Sequence, residues 1–324
     1  MSIDIGGDIG FGSIKLYGKA NGVLVSSLVG KLNHKYVSEA NRNLGHTHYV
    51  TLDKTNYVAG VAAWSIGKAS HNQSMDRLVK GTYDARVAIY AALGQYFGGK
   101  AIREPLNMYI GLPAVLLDTD HKAATIASVT NWMVKDHEWV FNDRPMRATI
   151  ESVAFRTQAT GALGDMIHNL NGQQTKDVEF MDSGIGIVSI GMNTVELSGA
   201  KRGRPVDTMI ASLENSGVRN MIDEIAGVTQ QPTGEIDEDL RSGRQVIPAH
   251  TLSDWSDRII GEISGKWDTH LPTLDRILLV GGGAQYIADA MRQRLGNIVH
   301  VPSDPMMAVA RGLYKWSVVN GNKG

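Results

Sequence analysis

Cysteine is missing from all 324 residues, which excludes disulfides, thiolate catalysis and Cys-ligated zinc or iron–sulfur centres and is compatible with a reducing compartment. A surplus of charge of either sign is missing too. Lys and Arg total 32 against 33 Asp and Glu, a formal net charge of -1, so no overall field concentrates a phosphate backbone or an anionic lipid surface. Direct nucleic-acid binding is therefore not expected. No stretch reaches the ~18 apolar residues of a membrane span, and the opening Met1-Ser2-Ile3-Asp4-Ile5-Gly6-Gly7-Asp8 has neither the basic nor the apolar region of a secretion signal. The expectation is a cytoplasmic protein with no membrane partner.

What the chain does have is a hydrophobic fraction of 43% over a length that can bury a large core, more readily as two lobes than as one. Its 36 glycines are clustered at a few sites rather than spread as a linker. The pattern is α/β. A short β-type run leads into Gly10-Phe11-Gly12, and Ile14-Lys15-Leu16-Tyr17 runs on to the turn signal Asn21-Gly22. Residues 32–66, with His34, His46 and His48, have no clean period and read as a small irregular lobe. Val87, Tyr90, Leu93 and Phe97 mark a helix over 84–97, and a strand over 108–113 stops at Pro113.

The second half repeats the opening. Val178-Glu179-Phe180-Met181 is an apolar run into Asp182-Ser183-Gly184-Ile185-Gly186, followed by the β-type run Ile187-Val188-Ser189-Ile190. Helical spacing of Val206, Met209, Ile210 and Leu213, and of Val218, Met221, Ile222 and Ile225, predicts two amphipathic helices. The segment 231–244 reads as a loop with at most a short helix. A helix over 252–263, a buried strand Arg276–Val280 ending in Gly281-Gly282-Gly283, a helix over 285–295 and a last one over 308–319 complete the chain.

The chemistry-bearing signal is the Asp-x-Gly-x-Gly turn met twice, at Asp8–Gly12 and at Asp182–Gly186. Glycines let a hairpin backbone approach an anion and aim N–H groups at it, and an aspartate at a strand end is suited to a hydrated divalent cation. Two such turns facing each other would clamp a polyphosphate, with Lys15 as counter-charge. Three glycines at a strand-to-helix junction let a flat base or sugar lie on bare backbone beside a helix N-terminus. Walker and dinucleotide-binding glycine patterns are absent from the sequence.

This order of elements resembles the actin, sugar-kinase and chaperone ATPase superfamily, and within it the plasmid-segregation actin-like proteins of the ParM/StbA type. The resemblance covers nearly the whole chain: Asp8 to Lys15 and Asp182 to Ser189 look like the two phosphate hairpins, Gly281 to Ala284 like the adenosine motif, Phe155–Leu163 and Asp304–Gly312 like the two connecting helices. It implies a two-domain, duplicated ribonuclease H-like fold with a nucleotide cleft between the domains, domain I being 1–164 plus 305–324 and domain II 165–304. It implies hydrolysis of ATP, or of GTP, coupled to assembly of the chain into filaments, with a separate DNA-binding adaptor for plasmid segregation.

By the same resemblance Asp8 and Asp182 would hold magnesium through water, Lys15 would contact the β- and γ-phosphates, and Gln158 would orient the attacking water. Gly10, Gly12, Ser13, Gly184 and Gly186 would hydrogen-bond phosphates. Gly282, Gly283 and Ala284 would lie on the adenosine, and Arg204 and Glu214, on the helix expected there, would reach the ribose or base. Relatives have a Thr-Thr-Asp-like run where this chain has Ile187-Val188-Ser189, which implies fewer phosphate contacts. Glu151 is a rival to Gln158 for the water. Two further readings of the fold stay open, a non-polymerising small-molecule kinase with Asp165 as base, and a nucleotide-gated scaffold with negligible hydrolysis. His46 and His48 alternate as metal ligands can, though surface polarity is the plainer reading. Lys201-Arg202-Gly203-Arg204 is the one dense basic cluster and reads as a solvated loop.

Overall fold

The computed structural model describes residues 2–32, 47–60, 62–63, 68–70, 75–117, 122–176 and 178–321. Two sheets carry the fold. The first is built from β1 (Ile3–Ile9), β2 (Ser13–Tyr17), β3 (Gly22–Ser26), β4 (Val29–Lys31), β5 (Thr47–Leu52), β6 (Thr55–Gly60), β7 (Lys68–Ser70), β8 (Leu106–Leu112), β9 (Asp136–Phe141) and β10 (Arg144–Thr157), in the order β3-β2-β1-β8-β10-β9-β5-β6-β4-β7. The second holds β11 (Gly184–Ile190), β12 (Val195–Lys201), β13 (Arg204–Pro205), β14 (Ala211–Leu213), β15 (Arg276–Val280) and β16 (Val299–His300), in the order β13-β12-β11-β15-β16, with β14 also on β12.

Both sheets share one plan. In each, the first strand pairs antiparallel with the second and parallel with the fourth-placed strand: β1 with β2 and β8, β11 with β12 and β15. A third strand flanks the hairpin, and a further parallel strand, β10 or β16, follows on the other side, where the first sheet continues into β9 and the second ends. The chain is one unit built twice.

After the last strand of each unit comes a helix, and the two helices exchange sheets. The Gln158–Ile167 helix follows β10 but buries Ala162 and Ile167 in a core with Ile185, Ile187, Leu278 and Val280 of the second sheet. The Ala308–Gly321 helix follows β16 but packs against β1, β2 and β8. The expected break after residue 164 thus falls inside the first of these helices. They cross backbone to backbone: a Cβ at Gly312 would lie 1.7 Å from the Gly161 carbonyl oxygen, a distance no side chain tolerates.

Several local expectations fail for physical reasons. Residues 47–60 of the supposed irregular lobe form a regular hairpin on β4 and β9. Its turn residues Asp53 and Lys54 both have positive φ, so the usual glycine signal of a tight hairpin is absent. His48 is a buried residue of β5, and His34 and His46 lie outside the described residues. No helix runs over 204–214: β13, a single 3-10 turn Asp207–Met209 and β14 lie there, edging β12 and burying Met209 and Leu213. Tertiary pairing overrides the helical spacing. Conversely, 231–244 holds a true helix, Thr233–Arg241, and its acidic trio is paired with Arg241 and Arg244.

Candidate functional site

A cleft of about 860 Å³ lies between the two units, where the hairpin ends of both sheets converge. On one side β1 ends at Ile9 and β2 begins at Ser13. The Gly10 N–H donates to the Ser13 carbonyl at 3.1 Å to close the turn, and buried Ser27 holds it from behind, its hydroxyl donating to the Gly10 carbonyl at 2.8 Å. On the other side the same turn recurs at Gly191-Met192-Asn193-Thr194, where the Gly191 N–H donates to the Thr194 carbonyl at 2.9 Å.

The register makes the equivalence residue by residue. Asp8 pairs with Lys15 across the first hairpin and Ser189 with Glu196 across the second, each two residues from its turn. All four line the cleft. The turns touch: a Cβ on Gly12 would sit 2.9 Å from the Met192 Cβ, so glycine is what lets the two hairpins meet.

The second turn is therefore not the one expected from sequence. Val178–Asp182 is a short helix, and β11 begins at Gly184, so the glycines of the Asp-x-Gly-x-Gly motif lie within the strand's first residues and not in a turn that follows it. Asp182 is exposed at the end of that short helix, just before the seven-residue strand whose length of roughly 20 Å separates it from the turn at Gly191. Gly184 donates its N–H to the Asp275 carboxylate at 2.7 Å, and Gly186 packs against Trp267 and Leu274. None of the three lines the cleft. Of the Ile187-Val188-Ser189 run only Ser189 lines the cleft, together with Thr194 and Glu196 from beyond the turn.

Within the cleft, the Lys15 ammonium donates to Asp8 Oδ2 at 2.8 Å, with both side chains buried. Gln158 reaches the other oxygen of the same carboxylate, its Nε2 lying 3.4 Å from Oδ1. It is delivered there as the first residue of a helix that Thr157 caps, the Thr157 hydroxyl accepting the Thr160 N–H at 3.1 Å. Gly10, Gly12 and Ser13 are lining residues as expected. Glu151 is exposed farther back on β10 and is not, which removes it as the rival to Gln158.

The opposite wall is formed by Gly281, Gly282 and Gly283. Gly281 has φ +91 and donates its N–H to the Pro305 carbonyl, while the Gly283 N–H donates to the Ile190 carbonyl. Ala284 is fully buried behind them and does not face the cleft. Sequence reasoning missed the rest of this wall: Asp237, Arg241, Gln285, Tyr286 and Met306. Arg241 binds Asp237 through Nε at 2.9 Å to each oxygen, and one turn of helix spacing between an acid and a base was the only signal for it. Arg204 and Glu214 are exposed and line no part of the cleft.

Burial raises the pKa of Glu196, and the neighbouring Glu214 adds to the rise, while hydrogen bonds from Ser212 and Thr194 pull the other way. The Ser212 hydroxyl donates to Glu196 at 2.9 Å. Burial likewise raises the Tyr286 phenol. The arrangement offers backbone N–H groups from two turns, one ammonium, a carboxamide and two carboxylates around a space that suits a polyphosphate, and a flat glycine wall that suits a ring.

Residues 6–161 match the family described as actin like proteins N terminal domain. Comparison with curated protein sequences gives no match. Among solved structures, the chain is similar to an apo psk41 ParM protein at 16% identity and TM-score 0.74, covering 99% of this chain and 98% of that one. It is similar to the subunit of a 15-stranded ParM filament from Clostridium botulinum at 17% identity and TM-score 0.76, covering 97% and 98%. It is also similar to Ta0583, an archaeal actin homolog in complex with ADP, at 18% identity and TM-score 0.72, covering 97% and 99%. Residues 6–161 thus carry the actin-like N-terminal domain, and the chain's whole length has the two-domain α/β fold of these solved structures.

Proposed function

We propose that the chain is an actin-like ATPase that binds a nucleoside triphosphate between its two units and assembles into filaments under control of that nucleotide, in plasmid DNA segregation through a separate DNA-binding adaptor. The observation that carries this reading is the facing pair of equivalent turns, with Asp8, Lys15 and Gln158 gathered at one of them. The triphosphate would lie between the turns, taking N–H groups from Gly10–Ser13 and from Gly191–Thr194, and the adenosine against Gly281–Gly283. Lys15 would move from Asp8 toward the β- and γ-phosphates.

Hydrolysis requires a water oxygen to bond the γ-phosphorus as the bond to the bridging β–γ oxygen breaks, releasing the diphosphate. Gln158 has no carboxylate to take a proton, so it orients water and leaves the proton to the phosphate or solvent, which implies slow turnover. Magnesium fits the donor set. Among the described residues no three acidic or histidine side chains converge to hold a metal alone, and magnesium with a nucleotide is bound mainly by phosphate oxygens and water. Asp8 would hold such a hydrated ion, whose positive charge would offset the phosphates. Asp182 has no part in this scheme.

The ParM filament relative supports self-assembly, and the archaeal homolog with ADP supports nucleotide binding. The kinase reading is less favoured, because its candidate base Asp165 is held by Arg311 and Lys315. No helix among the described residues is long and apolar enough to cross a membrane. The test is light scattering and phosphate release with ATP and magnesium against ADP. A rise in scattering with ATP alone is expected, electron microscopy should resolve filaments, and a flat trace with no phosphate released would overturn the proposal.

A further inference from the structure

A second charged site lies outside the cleft, at the β16 edge of the second sheet. Arg276 begins β15, and the parallel register sets Leu278 opposite His300 of β16. Side chains two apart on a strand share a face, so Arg276 and His300 stand on the same face as diagonal neighbours. On that face Phe180 is buried, and two cations flank its ring: the Arg276 guanidinium at 4.9 Å from the centroid and the Lys176 ammonium at 5.5 Å. Arg292, which pairs with Asp289 at 3.1 Å, adds positive charge nearby.

Among the described residues neither Arg276 nor Lys176 forms an ion pair, and the Arg276 Nε is buried without a hydrogen-bond partner. Glu179 and Asp182 share the short helix of Phe180 and are exposed, but neither pairs with these cations. Like charges held together with no ion-pair partner among the described residues repel one another. Consistent with this, His300 lies below the ordinary imidazole range, through burial first and then through Arg276, Lys176 and Arg292.

We infer that Lys176, Arg276 and His300 form a docking site for an acidic protein segment, a short run of Asp or Glu side chains on a partner. Carboxylates are the complementary chemistry, since a guanidinium fork and an ammonium accept two of them side by side. Duplex DNA is the weaker fit. The chain has no net positive charge, the patch holds only a few cations, and its phenyl ring, Phe180, is buried and unavailable for stacking on bases. This inference stands independently of nucleotide hydrolysis.

The test is fluorescence anisotropy of a labelled hexaglutamate peptide with the nucleotide-free, full-length chain, with unlabelled duplex DNA and inorganic phosphate as competitors. Expected are binding that weakens at least fivefold from about 50 to 300 mM salt, a further loss of about fivefold in Lys176→Gln and in Arg276→Gln, and an upward shift of the His300 titration by NMR when peptide is bound. Lys176 is partly exposed, so that variant gives a result even if Arg276→Gln fails to fold. Binding unaffected by Lys176→Gln, a His300 titration that does not move, or tighter binding of the duplex than of the peptide would each overturn the inference. So would inorganic phosphate displacing the peptide at equal concentration, which would mark a simple anion site.

Discussion

Arg311 grips Asp165 with both prongs of its guanidinium, Nε lying 2.7 Å from Oδ1 and Nη2 2.6 Å from Oδ2. Lys315 adds its ammonium to the same carboxylate at 2.8 Å and donates to the Asp165 carbonyl at 2.7 Å. Asp165 is on the helix that leaves the first sheet and Arg311 on the helix that leaves the second, just past the Gly161–Gly312 crossing. One buried carboxylate therefore ties together the two helices that join the halves of the molecule.

Removing that carboxylate leaves two cations facing each other in a site with little water. Breaking one side of a buried pair costs about 3–5 kcal/mol. Asp165→Asn should therefore lower the melting temperature by on the order of 10 °C, read by calorimetry. The Arg311→Lys variant keeps the charge but loses the fork, and should fall between. An Asp165→Asn protein that melts with the wild type would show that the cluster carries no stability.

The pairing of Asp8 with Lys15 and of Ser189 with Glu196 makes a sharp distinction among the aspartates. Asp182→Ala alters an exposed side chain just before β11, remote from the turn, so nucleotide affinity and turnover should stay within about twofold of wild type. Asp8→Asn removes the buried partner of Lys15 and should lower turnover by roughly a hundredfold. Nucleotide binding by calorimetry and phosphate release measure both. Equal losses in the two variants would contradict the assignment of the second turn to Gly191–Thr194.

Gln158 reaches into the cleft from a capped helix start, its carboxamide nitrogen directed at Asp8 Oδ1. Gln158→Ala should keep nucleotide affinity within about threefold while turnover falls about 10- to 100-fold, the usual range for a positioned group in proton or water management. Steady-state phosphate release beside equilibrium binding separates the two quantities. Loss of binding in step with turnover would assign Gln158 to holding the nucleotide and not to orienting water.

Much of this architecture is legible in the sequence, and the errors have a common cause. Long elements with clean periodicity, such as the helix of Met221, Ile222 and Ile225 or the buried strand Arg276–Val280, fall where the pattern puts them. The first turn is readable because Asp8, Gly10 and Lys15 keep all their chemistry in one short stretch. The second is hidden because its residues are Ser189, Gly191, Thr194 and Glu196, where only one glycine remains and the aspartate is replaced. The Asp182 motif imitates the first turn, but a helix precedes it and its glycines serve packing against Trp267 and Asp275. Side chains brought to the cleft by a separate helix, Asp237 and Arg241, carry only the i, i+4 acid–base spacing as a sequence mark, since their role is set by where that helix docks.

A pH dependence follows from His137, which is buried with both ring nitrogens engaged. Nε2 lies 2.7 Å from the Met133 carbonyl and Nδ1 2.7 Å from the Tyr90 hydroxyl, and burial pushes that phenol up to about 12, so it stays protonated and donates. Burial holds the imidazole below its usual value, against the opposing bond to Met133. Above about pH 6.5 both folded and unfolded chains carry the neutral ring, and it adds no pH dependence. As pH falls below that value the unfolded chain takes up the proton and the folded one does not, so stability is lost on acidification, by up to about 1.4 kcal/mol per pH unit. Urea unfolding of the wild type and of His137→Gln at pH 7.5 and 5.5 measures this. The wild type should lose more stability between the two than the variant does, and equal losses would mean that the folded chain protonates His137 as readily as the unfolded one.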